Sequence, residues 1–307
     1  WWQEAMEQVA ATAAANGIQM TTTAPDPTQY PTQVGPLVTT TWDQKAPYNN
    51  LCPTYSGSVK CLTGCVATAM AQIMYYHQWP LSSPIIPAYT TKALNINMPK
   101  LPATTFKWDD MKLTYDSDAP FDDAAFAVAE LMRYVGQANK MDYNKDGSSA
   151  YVHQEVMVGT FGYSKNLRQV ERNQYTNAEW ENLIYKELAE KRPVLYAGQS
   201  ETSGHRFICD GYDGNGLFHM NWGWGGGSDG YFVISLANPA EKGIGGGSGT
   251  GGFAYGQTAI IGFQPGSSDE PEIPIITSST SNQAASTYER STIDADFENV
   301  STKRCFL

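Results

Sequence analysis

The stretch LTGCVATAMAQIMYYHQW, residues 62–79, places a cysteine directly after a glycine turn and at the head of a helix-period pattern. Val66, Ala69, Met70, Ile73, Met74 and His77 recur at three- and four-residue steps, which predicts one apolar helical face, with Thr63 as its cap. A thiol in that place meets unsatisfied backbone N–H groups and the positive end of the helix dipole, a setting that lowers its pKa and makes a nucleophile. The pattern serves a purely packed cysteine equally well, since free cysteines are among the most buried residue types.

A nucleophilic cysteine needs a general base within hydrogen-bond reach, and the chain holds four histidines. His77 rides the same helix about 18 Å from Cys65, at 1.5 Å per residue, and cannot touch it. His153 sits in a short helical segment with no other chemistry nearby. His205 and His219 fall on the two arms of a predicted hairpin around DGNG. His205 opens its strand directly after ETSG, where a side chain can face a cleft, and is the better candidate. His219 lies mid-strand between Phe218 and Met220, which suits packing.

The elements that must position these groups can be read coarsely. Helical patterns run over 65–79, 121–138, roughly 150–158 and 178–191, the last opened by Thr176 and Glu179 as a capping box. After Pro193 come the strand-like runs VLYAGQ, HRFICDGY, GLFHMNW, GYFVISL and TAIIGF, separated by Gly, Asn and Asp turns. Helices first and antiparallel strands second predict an α+β domain whose two lobes meet at a cleft, a favoured ligand site.

The net charge of −11 and the absence of a Lys/Arg cluster argue against a nucleic-acid partner. No apolar run reaches the roughly 18 residues needed to span a bilayer. Of the five cysteines at least one must be unpaired. Cys52 and Cys61 bracket CPTYSGSVKC, a loop short enough to close as a disulfide in an oxidising compartment, whereas Cys209 lies in an alternating strand and Cys305 in a polar tail. DYNKDG, residues 142–147, opens like a calcium loop, but its twelfth position would be His153 instead of glutamate, so a plain turn is the better reading. The glycine-rich run 243–252 lacks the lysine of a phosphate loop and reads as a flexible active-site loop.

TGCVATAMAQIM, GHRFICDGYDG and NWGWGGGSDGYF, in this order and spacing, resemble the streptopain family of bacterial cysteine peptidases, which share a papain-like fold. WDQKAPYN before the cysteine and GIGGGSGTGGFAYGQTAIIGF extend the resemblance over about residues 34–264. It implies Cys65 as nucleophile, His205 as base, Gln44 as the oxyanion-hole glutamine, and Trp222 and Trp224 beside the site. NWGWGGGSDGYF is also similar to plant papain-like enzymes, where the asparagine before the tryptophan orients the histidine, which implies that role for Asn221. The papain-type CGSCW context is absent. Gln44 stands 21 residues before Cys65 because the Cys52–Cys61 loop intervenes, so its role requires that loop to fold back.

The expectation is therefore a secreted or cell-surface bacterial cysteine endopeptidase with a Cys–His dyad and a thioester intermediate, requiring no cofactor and no metal. Its partners would be protein or peptide substrates with a hydrophobic residue at the second position before the scissile bond. Residues 1–33, which begin without an initiator methionine on WWQEAMEQVAATAAA, resemble the remnant of an inhibitory prosegment within a longer precursor; 34–264 would be the catalytic domain, and 265–307 a linker and the start of a C-terminal β module. The competing readings are a Cys–His acyltransferase or transglutaminase, and a catalytically silent binding module that uses its aromatics.

Overall fold

Residues 31–152, 154–249 and 251–267 are described by the structure, a computed structural model. The expected prosegment remnant and C-terminal module fall almost wholly outside them.

Helix α1 (Cys65–His77) is the centre of the domain. Nine consecutive residues, Val66 to Met74, are buried, so the helix is enclosed on every side instead of along one apolar face. One side packs on α2 (Asp123–Ala138) and another on a large sheet. The alanines at 67 and 71 let these neighbours approach closely, while Thr68 and Gln72, which a periodic reading would leave in solvent, are buried and hydrogen-bonded. Short α3 (Gln154–Gly159) follows, and α4 (Asn177–Ala189) opens on the expected capping box: Thr176 Oγ1 accepts from Glu179 N, and Glu179 returns the bond to Thr176 N at 2.8 Å, a motif worth about 1 kcal/mol.

Three two-stranded ribbons decorate the chain before the sheet: β1 (Thr54–Ser56) with β2 (Val59–Lys60), β3 (Ser82–Ser83) with β6 (Thr104–Thr105), and β4 (Tyr89–Thr90) with β5 (Asn97–Met98). The main sheet contains β7 (Arg168–Glu171), β8 (Val194–Gln199), β9 (Gly204–Tyr212), β10 (Phe218–Asn221), β11 (Gly230–Phe232) and β12 (Tyr255–Ile261). Their order is β11-β10-β9-β8-β12-β7, with every neighbouring pair antiparallel. Alternation along the strands divides two cores. Leu195, Ile208 and Ile260 face the α1 side, whereas Tyr196, Phe207, Cys209 and Ile261 pack with Trp180, Trp222 and Phe253 on the other.

This is the α+β, papain-like arrangement, a helical part followed by an antiparallel sheet. The ribbons and β7 were not legible as elements, because two- to four-residue strands carry too little alternation to register.

Candidate active site

Cys65 is the first residue of α1 and half-buried. Gly64 precedes it at φ 86°, and a side chain at Gly64 would lie 2.7 Å from Met141 Sδ and 2.8 Å from the Ser148 carbonyl, so only glycine makes this turn without displacement. Thr63 does not cap the helix as expected; its hydroxyl is bonded to Thr68 Oγ1 at 2.8 Å, and no side chain takes the first-turn N–H groups. They stay available around the sulfur.

The electrostatics of that sulfur correct the expectation of a depressed pKa. Burial pushes the Cys65 thiol up, and the backbone N–H groups of Arg206, Val66 and Cys65, with the Arg206 charge, oppose this without reversing it. A helix terminus alone does not offset the loss of solvent.

His205 is 3% exposed and stacked on Trp224 with ring centroids 4.8 Å apart. Its Nε2 lies 2.9 Å from the Trp222 carbonyl oxygen. A carbonyl only accepts, so Nε2 carries the hydrogen and Nδ1 is the bare, basic nitrogen. Nδ1 is buried without a hydrogen-bond partner. Burial lowers the imidazole to about 4, with the Trp222 carbonyl acting the other way, so the ring is neutral at pH 7. No hydrogen bond joins Cys65 to His205: the ring shares a sheet face with Phe207, and it is the next residue, Arg206, that adjoins the thiol.

Gln44 does fold back to the helix start. Its carbonyl accepts from Thr63 N at 3.2 Å, its side chain is 1% exposed, and its Nε2 donates to the Ile244 carbonyl at 3.0 Å. Trp224 Nε1 donates to the same oxygen at 2.9 Å. The glycine-rich segment thus lies over the site: a side chain at Gly243 would meet the Trp224 ring at 2.4 Å, and one at Gly245 would come within 3.8 Å of His205 Nδ1. Two cavities, of about 260 Å³ beside Gln72 and Tyr75 and about 530 Å³ beside Asn238 and Lys242, include neither Cys65 nor His205.

Asn221 does not reach His205. Its amide pairs with Gln72, accepting from Nε2 at 3.1 Å and donating to Oε1 at 3.2 Å, and donates to the Thr40 carbonyl at 2.7 Å. Gln72 also accepts from Thr40 Oγ1 and Trp42 N, so the buried amides lock α1 to the segment leading to Gln44 and to the end of β10. Asn221 immediately precedes Trp222, whose carbonyl meets His205 Nε2. Trp222 itself is fixed by Asp229 Oδ1 on its backbone N–H and by the Ser228 carbonyl on its indole.

The other histidines are occupied elsewhere. His219 Nδ1 is 2.7 Å from Asp210 Oδ1; burial alone would lower this imidazole, but the Asp210 hydrogen bond and charge raise it overall. His77 faces Tyr163, and burial takes it down to about 4. His153 lies outside the described residues. Cys52 and Cys61 are free buried thiols, not a disulfide, and the loop between them is closed by backbone bonds, Cys61 N to the Pro53 carbonyl and Cys52 N to that of Asn49. In the turn at 142–147 the Asp142 carboxylate accepts from Lys92 N and Ala93 N, and Asn144 Oδ1 from Lys145 N. Arg206, next to the thiol, was not singled out from the sequence; its signal was a basic residue between His205 and Phe207 in the strand that carries the candidate base.

The Peptidase C10 family profile matches residues 42–232. The chain is 37% identical over 243 residues to streptopain of Streptococcus pyogenes, covering 73% of this chain and 60% of that protein. It is 36% identical over 236 residues to the thiol protease/hemagglutinin PrtT of Porphyromonas gingivalis, covering 76% and 27%. The chain thus spans less than two thirds of either relative. Active wild-type interpain A cysteine protease of Prevotella intermedia superposes with a TM-score of 0.67 at 32% identity, over 78% of this chain and 98% of that one. A prointerpain A fragment gives 0.63 at 31% identity, over 85% and 82%. Among the described residues no helix is long and apolar enough to cross a membrane.

Proposed function

Because the chain belongs to the Peptidase C10 family, we propose that it is a cysteine endopeptidase in which Cys65 is the nucleophile and His205 the base. The observation that carries the reading is the tautomer: the Trp222 carbonyl fixes the hydrogen on Nε2 and leaves Nδ1 as an unpartnered lone pair one residue from the strand position that adjoins the thiol. The reaction requires Nδ1 to come within hydrogen-bond reach of the sulfur. The thiol proton passes to Nδ1, and the resulting imidazolium supplies the charge that offsets the burial of the thiolate.

The sulfur then attacks the scissile carbonyl, forming the S–C bond, and the oxyanion is met by the Cys65 backbone N–H and Gln44 Nε2. Imidazolium returns its proton to the leaving amine as the C–N bond breaks, and water hydrolyses the thioester. In this conformation one N–H of Gln44 Nε2 is engaged by the Ile244 carbonyl, and the second is the one offered to the oxyanion.

The reading extends to protein substrates with an apolar residue at the second position before the scissile bond, to a secreted or cell-surface location, and to residues 1–33 as part of an inhibitory prosegment. Similarity to a prointerpain A fragment over 85% of this chain supports the last. Titration with an epoxide cysteine-protease inhibitor, with the adduct mapped by mass spectrometry and casein cleavage followed in parallel, tests the proposal. It expects one equivalent on Cys65 and matching loss of cleavage; label on another cysteine, or cleavage that survives full modification of Cys65, overturns it.

A further inference from the structure

Three of the six unpartnered buried polar side-chain atoms among the described residues belong to this region, and one of them, Arg206 Nη1, has no role in the chemistry above. Arg206 pairs with Ala197 across β8 and β9, two residues from Ile208, and so projects toward the α1 side of the sheet, opposite to His205 and Phe207. β10 ends at Asn221, opposite Ile208, so residues 204–207 run past its last pair.

The guanidinium has no carboxylate. None of the ion pairs among the described residues includes it, in a chain with 31 acidic residues against 20 basic ones. The ionisable groups that feel its charge are Cys65 and His205. It makes no hydrogen bond to the sulfur, and Nη1 has no acceptor among the described residues. Burial lowers the guanidinium to about 10, which keeps it charged at neutral pH. Arg206 as a residue is half-buried, but its Nη1 is out of solvent and unpaired, which is costly, and a carboxylate that receives the guanidinium in bidentate geometry recovers that cost.

We propose that Arg206 is a specificity residue that receives the side-chain carboxylate of an Asp or Glu flanking the scissile bond of a peptide substrate. The position follows from the reaction: the Cys65 sulfur attacks the carbonyl of the bond to be cut, so a group beside the sulfur meets the two residues on either side of that bond. The inference rests on the peptidase reading.

Fluorogenic peptides carrying Asp, Glu, Asn or Gln at either flanking position test it on the full chain. At one position kcat/KM for the acid should exceed that for its isosteric amide by at least about tenfold. The ratio should fall toward one in Arg206→Gln, stay intermediate in Arg206→Lys, and shrink with added salt in the unmodified protein, a measurement needing no variant. An acid-to-amide ratio near one in the unmodified protein, or a ratio unchanged in folded Arg206→Gln, overturns the proposal. So does a variant that shifts only the pH profile, because Arg206 would then serve the thiolate alone. Cleavage of the amide peptides without discrimination sinks Arg206 and leaves the peptidase standing; no cleavage of any peptide and no epoxide label on Cys65 sinks both.

Discussion

The carbonyl oxygen of Ile244 accepts a hydrogen bond from Gln44 Nε2 at 3.0 Å, across 200 residues of sequence. The same oxygen holds Trp224 Nε1, so one backbone atom of the glycine-rich segment ties down both the Gln44 amide and the ring on which His205 stacks. In this conformation the segment closes over Gln44 and His205.

Gly243→Ala should weaken that closure. Its Cβ would lie 2.4 Å from Trp224 Cγ, which forces the segment or the indole to move. Epoxide inactivation of Cys65 should quicken several-fold, with a change in tryptophan fluorescence. An inactivation rate equal to that of the unmodified protein would mean the segment does not limit access.

His205→Ala should lower turnover on the order of 10³-fold or more while the fold survives, since it removes both thiol deprotonation and leaving-group protonation. His219→Ala leaves the buried Asp210 carboxylate without its partner and should cost roughly 1–3 kcal/mol of stability, with activity of the folded fraction retained. Both variants are compared at equal folded concentration by near-UV circular dichroism. A folded but inactive His219→Ala would transfer the role.

The two histidines also bend the pH–stability curve in opposite directions. His205 is held at about 4 in the folded protein against about 6.5 unfolded, so between these values the unfolded chain binds more protons. Its contribution is full above about pH 6.5 and declines, by on the order of 3 kcal/mol, as pH falls toward 4. His219 is raised, so its pair with Asp210 contributes fully below about pH 6.5 and is lost as pH rises through the folded value. Urea unfolding from pH 4 to 9 should show the acid-side loss reduced in His205→Gln and the alkaline-side loss reduced in His219→Gln; parallel curves for all three proteins would contradict both assignments.

Cys52 and Cys61 should be recovered as free thiols. Burial pushes Cys52 up to about 12 and raises Cys61 as well, so neither should be alkylated by iodoacetamide at pH 7.5 until the protein is unfolded. Peptide mapping without reductant settles the point, and a linked 52–61 peptide from freshly folded protein would refute it. Cys65, raised by burial in the closed state, should label slowly at pH 6, and faster when the Ile244 contact is broken.

Local chemistry made much of this protein legible before any coordinates. The glycine before Cys65, the 3.6-residue period behind it, the capping box at Thr176 and the alternation of HRFICDGY are short-range signals, and each marks an element that formed. His205 could be preferred to His219 for the same reason, because a strand opening and a strand middle differ in what can face a cleft. Partnership was not legible, since it depends on which segments meet in space. Gln72 looked like a solvent position and is buried between Asn221 and Thr40. Asn221, expected at the histidine, serves that amide pair, and the Trp222 carbonyl takes the imidazole instead. The raised thiol and the depressed imidazole follow from burial, which no spacing reports. Arg206 stands without a carboxylate because tertiary packing carried every described acidic residue elsewhere, and only the folded arrangement of β9 against α1 could decide that.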